Sequence, residues 1–366
     1  MSYNITPHAV DVHLKSISWA TERGQIDQVQ SQQHNIDRLV GSYVANAFES
    51  LQLQRAHLER FSDTDYCRAK LSELKLPPAK VWWIQLLAKI ALNSAEAPAN
   101  TRQLATCLRA ELPSYETELT IITRVGENLL RLMQCEGTSE IVHTLFADDL
   151  MTRWYTSSVT YNLFNALARE TVRLICEQTS AKPMNILEVG AGTGGLTSHL
   201  LELFDPSATR YHFTDIGAFF LRAGRRRFAN YGFVEFATLD LERDCNEQGF
   251  PNGSCSLVIA NNVLHDTKNL RFTLQNVSRV LAPGGYLLML ELTDPQVWWH
   301  MCFGSLDGWW RFKSDPSDDR EELMLLKSEQ WSELLAATGF DQTTVLSDSV
   351  APDFANRLFL SRVGRG

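Results

Sequence analysis

Leu187-Glu188-Val189-Gly190-Ala191-Gly192-Thr193-Gly194-Gly195 decides how this chain folds. Asn185–Val189 is a short apolar run carrying one acid, the pattern of a buried strand. Glycines at 190, 192, 194 and 195 interrupt it before the next amphipathic stretch. A glycine turn between a buried strand and a helix lets the backbone pass close to a ligand, with no Cβ in the way. Gly190, Gly192 and Gly195 also satisfy the spacing G-x-G-x-x-G of dinucleotide-binding turns, so the loop alone does not choose its ligand.

Downstream the alternation continues. Short apolar runs predict strands at Asn185–Val189, Arg210–Thr214, Val234–Leu239, Ser256–Asn261, Gly285–Leu292, Thr343–Ser347 and Arg357–Arg362. Amphipathic segments near 195–204, 218–230, 270–281 and 328–339 predict helices between them. Apolar strands separated by helices indicate a parallel sheet covered on both faces. Five β/α units followed by a closing strand pair give an α/β fold, with the Rossmann-like seven-stranded sheet of class I methyltransferases.

Upstream, residues 31–180 read as almost wholly helical. In Gln33–Leu51 the apolar positions Ile36, Leu39, Val40, Tyr43, Val44, Ala47, Phe48 and Leu51 keep helical spacing. Ala79–Asn93, Thr101–Leu112, Tyr115–Cys135, Ser139–Met151 and Val159–Thr179 are further predicted helices, and the first 30 residues read as loose. The texture changes near residue 180. The chain is expected to divide into an all-helical lid domain, 1–150, and an α/β core, 151–366.

The 366 residues suffice for two cores. Lys+Arg number 34 and Asp+Glu 43, a formal charge of −9, which argues against a dedicated nucleic-acid binder. No apolar run reaches membrane-spanning length; the best, Val81–Leu92, carries Lys89. The opening residues lack a basic stretch followed by an apolar core, so no secretory signal is expected. The 7 cysteines include no C-x-x-C pair, which indicates reduced thiols in a cytoplasmic protein and no metal site.

In open α/β sheets ligands bind beyond the carboxyl ends of the strands. Asp215 closes the second predicted strand, where an acid can accept hydrogen bonds from the ribose hydroxyls of a nucleotide or an adenosyl ligand. Asp240-Leu241 closes the third, pairing a carboxylate for an adenine amino group with an apolar side chain for its ring. Asn261-Asn262 closes the fourth and suits the methionine end of S-adenosylmethionine. Glu188, Gly190, Gly192 and Gly194 belong to the first strand and its turn. Taken singly, Asp215 reads equally as a helix cap and Asp240 as a surface acid. Together at successive strand ends, with no hydride-acceptor arrangement, they favour S-adenosylmethionine, with S-adenosylhomocysteine as product, over NAD.

His265 follows the fourth strand in Asn-Asn-Val-Leu-His-Asp-Thr, and Glu291 lies near the carboxyl end of the fifth in Leu-Met-Leu-Glu-Leu-Thr. Neighbouring strands would bring both to one crevice. A histidine with a carboxylate on its other ring nitrogen is a general base of fixed tautomer. A glutamate inside an apolar strand needs a partner, because burying it alone is costly. A packing histidine and a structural acid are the plainer reading of the same residues.

Asn-Val-Leu-His (262–265), the strand ending in Glu291, the pairs Trp298-Trp299 and Trp309-Trp310, and the 187–195 turn resemble the C-methyltransferase domains of polyketide synthases. So do Asp-Leu-Glu (240–242), Glu-Gln-Gly-Phe (247–250) and the segment around Trp331; the resemblance covers about 150–363. It implies S-adenosylmethionine-dependent methylation of the α-carbon of a β-ketoacyl-phosphopantetheine on an acyl carrier protein, within a larger synthase. It implies that a His–Glu pair removes the proton, which maps onto His265 and Glu291. It also implies that Tyr155, in Arg-Trp-Tyr-Thr-Ser-Ser, lines the site, and Asn262 is expected to face the substrate with it. Asp266 stands where the family often has a small residue.

The tryptophan-rich stretch 298–312, with Trp298 and Trp309, reads as a wall of an acyl-chain tunnel or as a bridge between lid and core; Trp82-Trp83 reads as lid core. Arg222, Arg225, Arg226 and Arg227 either dock an acidic carrier or form a solvated helix face. Two other readings compete: an O-methyltransferase acting on a β-hydroxyl or enol, and a non-catalytic scaffold.

Overall fold

Runs of Val, Ile and Leu with no polar face belong in the middle of a covered sheet. The computed structural model, which describes residues 20–94, 100–178, 183–318, 320, 323–348 and 354–364, places them there. The strands are β1 (Met184–Val189), β2 (Thr209–Asp215), β3 (Val234–Thr238), β4 (Cys255–Asn261), β5 (Leu281–Leu292), β6 (Phe340–Val345) and β7 (Asn356–Val363). They form one sheet in the order β3-β2-β1-β4-β5-β7-β6. β1 through β5 run parallel, and β7 lies antiparallel between β5 and β6. Strand order reverses between β1 and β4, which puts a crevice beyond their carboxyl ends.

All seven predicted strands are present, and the fold class is as expected. β5 starts earlier than its periodicity suggests, because Leu281 pairs with Cys255 before the ladder steps to Leu257 and Tyr286. The Ala282-Pro283-Gly284-Gly285 turn bulges out between those two pairs. Helices Ala218–Arg227, Leu270–Val280 and Ser328–Ala337 match expectation, while only Thr197–Leu200 of the segment near 195–204 is α-helical. Leu187, Val258, Leu287 and Phe359 of the sheet pack in one core with Leu274, Val277, Trp331 and Leu335 of the helices.

The chain forms two compact units, and their limits differ from the expected 1–150 and 151–366. One unit holds Ala20–Trp154 together with Pro295–Trp310; the other holds residues 155–294 and the described residues from 311 onward. The change of texture near 180 falls outside the described residues and does not separate the units, since the helix Val159–Gln178 belongs with the sheet. Its Phe164 meets Phe354 edge-on, with ring centroids 5.8 Å apart.

In the helical unit, Gln33–Ser50, Val81–Asn93 and Thr101–Glu111 lie as read from periodicity. Three readings change. Tyr115–Cys135 splits into Glu116–Glu127 and Leu129–Gln134, with Asn128 between them folding its amide back onto the Arg124 carbonyl at 2.8 Å. Ser139–Met151 stops at Phe146, because Asp148 and Asp149 turn to positive φ before a new helix runs over Leu150–Ser157. Ala20–Ser31, Arg55–Glu59 and Thr64–Glu73 are helices that the apolar spacing did not mark. Residues 1–19, the bulk of the segment expected to be loose, lie outside the described residues.

The insertion after β5 folds into this unit as a helix, Val297–Phe303, followed by a 3-10 segment from Asp307. Trp154 meets the ring of Trp299 at 5.0 Å and stacks on Phe303 at 5.5 Å. Trp83 donates its indole N–H to the His300 carbonyl at 3.1 Å.

Candidate active site

The glycine loop is built by contacts that only glycine allows. Gly190, Gly192 and Gly194 have φ of 57°, 55° and 71°, the left-handed region that side chains disfavour. A Cβ on Gly190 would fall 2.2 Å from the Val263 side chain, and one on Gly195 would fall 2.7 Å from that of Tyr155. A Cβ on Gly192 would meet nothing closer than a carbonyl at 3.8 Å, so this glycine leaves open space above the turn.

Asp215, the last residue of β2, ties this loop to the next one. Its Oδ2 accepts the Gly192 N–H at 2.9 Å and its Oδ1 the Gly217 N–H at 2.6 Å. Burial raises its carboxyl pKa, and those two backbone donors pull the other way. Each oxygen keeps a lone pair for a diol. A left-handed glycine loop beside a carboxylate held by backbone N–H groups fits an S-adenosyl ligand.

Glu188 is used differently from expectation. It is 1% exposed, and its Oε2 accepts hydroxyl hydrogen bonds from Thr197 and Tyr211, each at 2.7 Å. Burial pushes its pKa up to about 7 against those donors. Through Oε2 its carboxyl braces β1, β2 and the following helix. Sequence spacing could not separate the two roles, because Thr197 and Tyr211 come from other elements.

At the end of β3, Asp240 Oδ1 caps the Glu242 N–H at 2.9 Å, and its backbone is held by Gln248. Leu241 is buried beside it. At the end of β4, Asn262 takes a left-handed φ of 49°. Its Nδ2 donates to the Tyr161 hydroxyl at 2.9 Å and to Asn261 Oδ1 at 3.0 Å. Tyr161 in turn packs on Tyr155, with ring centroids 4.8 Å apart, and hydrogen-bonds to it. Burial, Asp266 and Glu291 all raise the Tyr155 pKa, so this phenol stays protonated. Tyr155, Asn261 and Asn262 thus share one network within the sheet unit. A strained non-glycine residue at a strand end is a frequent mark of a functional site.

His265 and Glu291 meet. His265 Nδ1 hydrogen-bonds Glu291 Oε2, while Glu291 Oε1 accepts the Leu264 N–H at 2.9 Å. Both residues are buried, His265 at 6% and Glu291 at 0% exposure. A carboxylate can only accept, so Nδ1 carries the proton and Nε2 is the basic nitrogen. Nε2 lies 3.9 Å from Asp266 Oδ1, too far for a hydrogen bond. Burial lowers the His265 pKa, but Glu291 outweighs it and the net direction is up.

The tryptophans read as a tunnel wall or as a bridge between lid and core are buried in the helical unit. Trp298 and Trp309 are 2% and 4% exposed, and their faces are taken by Trp154 and Phe303. Of the pair read as lid core, Trp83 is buried in that unit and Trp82 is only half-buried. Of the arginine cluster, Arg225 donates to the Phe236 carbonyl at 2.7 Å and Arg227 to the Thr193 carbonyl of the glycine turn at 2.9 Å. Arg222 and Arg226 are exposed. Periodicity gave no sign of Arg227's tie to the turn, of Tyr161, or of Arg320, whose guanidinium donates to the His265 carbonyl at 2.7 Å. Among the described residues no cluster could hold a metal, and no helix is long and apolar enough to cross a membrane.

Comparison with known proteins bears on the fold and the family. The family described as a methyltransferase domain matches residues 187–287. Lovastatin diketide synthase mokB of Monascus pilosus is 31% identical over 93% of this chain, which spans 13% of that protein's length. Lovastatin diketide synthase lovF of Aspergillus terreus is 34% identical over 72% of this chain, corresponding to 11% of its own length. The solved CurJ carbon methyltransferase superposes with a TM-score of 0.84 at 25% identity, covering 99% of this chain and 100% of that one. The trans-methyltransferase CalH, solved with S-adenosylhomocysteine, gives 0.68 at 26% identity over 92% of each chain. With the glycine loop, Asp215 and the sheet order already in place, these likenesses settle the family: the chain belongs to the methyltransferase domains of polyketide synthases, which are S-adenosylmethionine-dependent enzymes of the class I fold.

Proposed function

We propose that this domain methylates the α-carbon of a β-ketoacyl thioester carried on the phosphopantetheine of an acyl carrier protein, with His265 as general base and Glu291 as its partner. The observation that carries this reading is the buried Nδ1–Oε2 hydrogen bond, which leaves Nε2 as the only basic site of the imidazole. Likeness to solved carbon methyltransferases supports the choice of carbon.

A proton between a ketone and a thioester is acidic enough for an imidazole. Nε2 removes it, Glu291 stabilises the imidazolium, and the α-carbon becomes a nucleophile. Tyr155, hydrogen-bonded to the Tyr161 that Asn262 holds, lies near enough to feel the charges of Asp266 and Glu291 and would offer its hydroxyl to the substrate. Asp215, with Gly190, Gly192 and Gly194, would hold the cofactor's ribose and chain, while Asp240 and Leu241 would receive its adenine. When bound, S-adenosylmethionine supplies a methyl group on a positively charged sulfur that leaves readily. The protein's share of the rate then comes from positioning and proton removal.

The test is mass spectrometry of a β-ketoacyl carrier protein incubated with the domain and deuterated-methyl cofactor. A single label on the α-carbon supports the proposal; a label on oxygen, or none, overturns it. Asp215→Ala should weaken S-adenosylhomocysteine binding about 10-fold or more, the worth of one charged hydrogen bond. Calorimetry reads this directly, and an unchanged affinity removes Asp215 from the ribose.

A further inference from the structure

His265 is carried by a short piece of backbone outside the regular helices and strands. Leu264–Asp266 is a single 3-10 turn directly after the left-handed Asn262. Its N–H groups are met by Asp266 N to Val263 O and Thr267 N to Leu264 O, both at 3.1 Å, and by Leu264 N to Glu291 Oε1 at 2.9 Å, while the Thr267 hydroxyl donates to Leu264 O at 2.8 Å. The carbonyls of residues 265, 267 and 268 have no place in a helix or ladder. Such groups must find partners elsewhere.

All three find Arg320, which lies 55 positions further along the chain. Nη1 donates to His265 O at 2.7 Å, and Nη2 to Thr267 O at 2.6 Å and Lys268 O at 3.2 Å. Nη1 also reaches Met324 O at 3.2 Å, and Nε is bound to Asp318 Oδ1 at 2.6 Å. The guanidinium lies 5.1 Å from the Phe312 ring centroid. The Arg320 and Asp318 side chains are 1% and 3% exposed. Asp318 Oδ2 accepts the Leu270 N–H at 3.0 Å, and Asn269 Nδ2 reaches Ser317 Oγ at 3.0 Å. Asp315, Ser317, Asp318 and Arg320 therefore all bond to residues 265–270. A buried cation is tolerated only with its donors met, and a planar fork of five N–H donors can meet several carbonyls and a carboxylate at once.

We propose that Arg320 is a positioning residue for the methyl-transfer reaction: it clamps the backbone of the turn that carries His265 and acts through His265 alone. The proposal rests on His265 being the base. Arg320 does not touch the substrate, so its loss should appear in kcat and leave KM and cofactor affinity in place.

The test measures methylation of a β-ketoacyl carrier substrate by Arg320→Met, with His265→Ala and the double variant alongside. Arg320→Met should lower kcat about 10²-fold, the cost of misplacing a catalytic group by roughly an ångström. KM and S-adenosylhomocysteine affinity should hold, and in the His265→Ala background the same change should cost nothing more. Unchanged kcat overturns the proposal. So does a loss that includes cofactor binding, or one that persists without His265. If His265→Ala retains full activity, the reading of the base fails, whatever Arg320 does. Should Arg320→Met not fold, Arg320→Lys keeps the charge but not the fork, and should lose roughly tenfold in kcat. Full activity of folded Arg320→Lys overturns the clamp.

Discussion

His265→Ala is expected to lower kcat for α-methylation at least about 10³-fold, with S-adenosylhomocysteine affinity unchanged. The basic nitrogen of this imidazole is defined by the structure, since Glu291 occupies the other. Asp215 and the glycine loop belong to other strand ends, so cofactor binding should survive. Turnover and calorimetry on the same preparation separate the two effects, and retained turnover would rule out His265 as the base. In the unaltered protein, activity should rise with pH through an inflection above the ordinary histidine value of 6.5, because Glu291 raises the His265 pKa. Stability follows the opposite sign. The raised pKa stabilises the fold below about 6.5, and that contribution is lost as pH climbs through the higher folded-state value.

Glu291→Gln should cost about 10³–10⁴-fold in kcat with little change in fold. The glutamine oxygen can still accept the Leu264 N–H, so the buried donor keeps its partner. Its amide nitrogen, however, must donate to Nδ1. That forces the imidazole proton onto Nε2 and removes the basic site. The inflection in the pH profile should move down at the same time. Thermal denaturation offers a second check: the stability gap to the unaltered protein should be larger near about pH 6 than near about pH 9. Activity within about tenfold of the unaltered protein would show that Glu291 does not set the tautomer.

The sheet and the cofactor loop were legible because buried parallel strands carry their signal in contiguous residues. Asn185–Val189 has to be apolar wherever its neighbours come from, and the glycines after it answer to a local backbone demand. The His265–Glu291 pair was legible because adjacent strands of a known order carry the two residues. What spacing could not show depends on distant partners. Glu188 reads as a ligand until Tyr211 and Thr197 arrive, and Arg320 sits in a segment without periodicity. The short helix Thr64–Glu73 did leave a sign: Asp63 caps the Asp65 and Tyr66 N–H groups, the usual role of an acid just before a helix. Spacing could not place Trp298 and Trp309, because a tryptophan pair looks alike in a tunnel wall and in a core.

The return of Pro295–Trp310 to the helical unit has a practical consequence for anyone cutting or exchanging parts of this domain. Neither half is a continuous piece of polypeptide. An N-terminal fragment ending at Trp154 would lack the aromatic helix that covers that very indole, leaving a greasy scar prone to self-association. A chimera that borrows a foreign lid must therefore import two stretches of sequence and suture them to the sheet unit after Trp154, before Pro295 and after Trp310. One that imports only the first would graft a half-finished core onto an intact catalytic sheet.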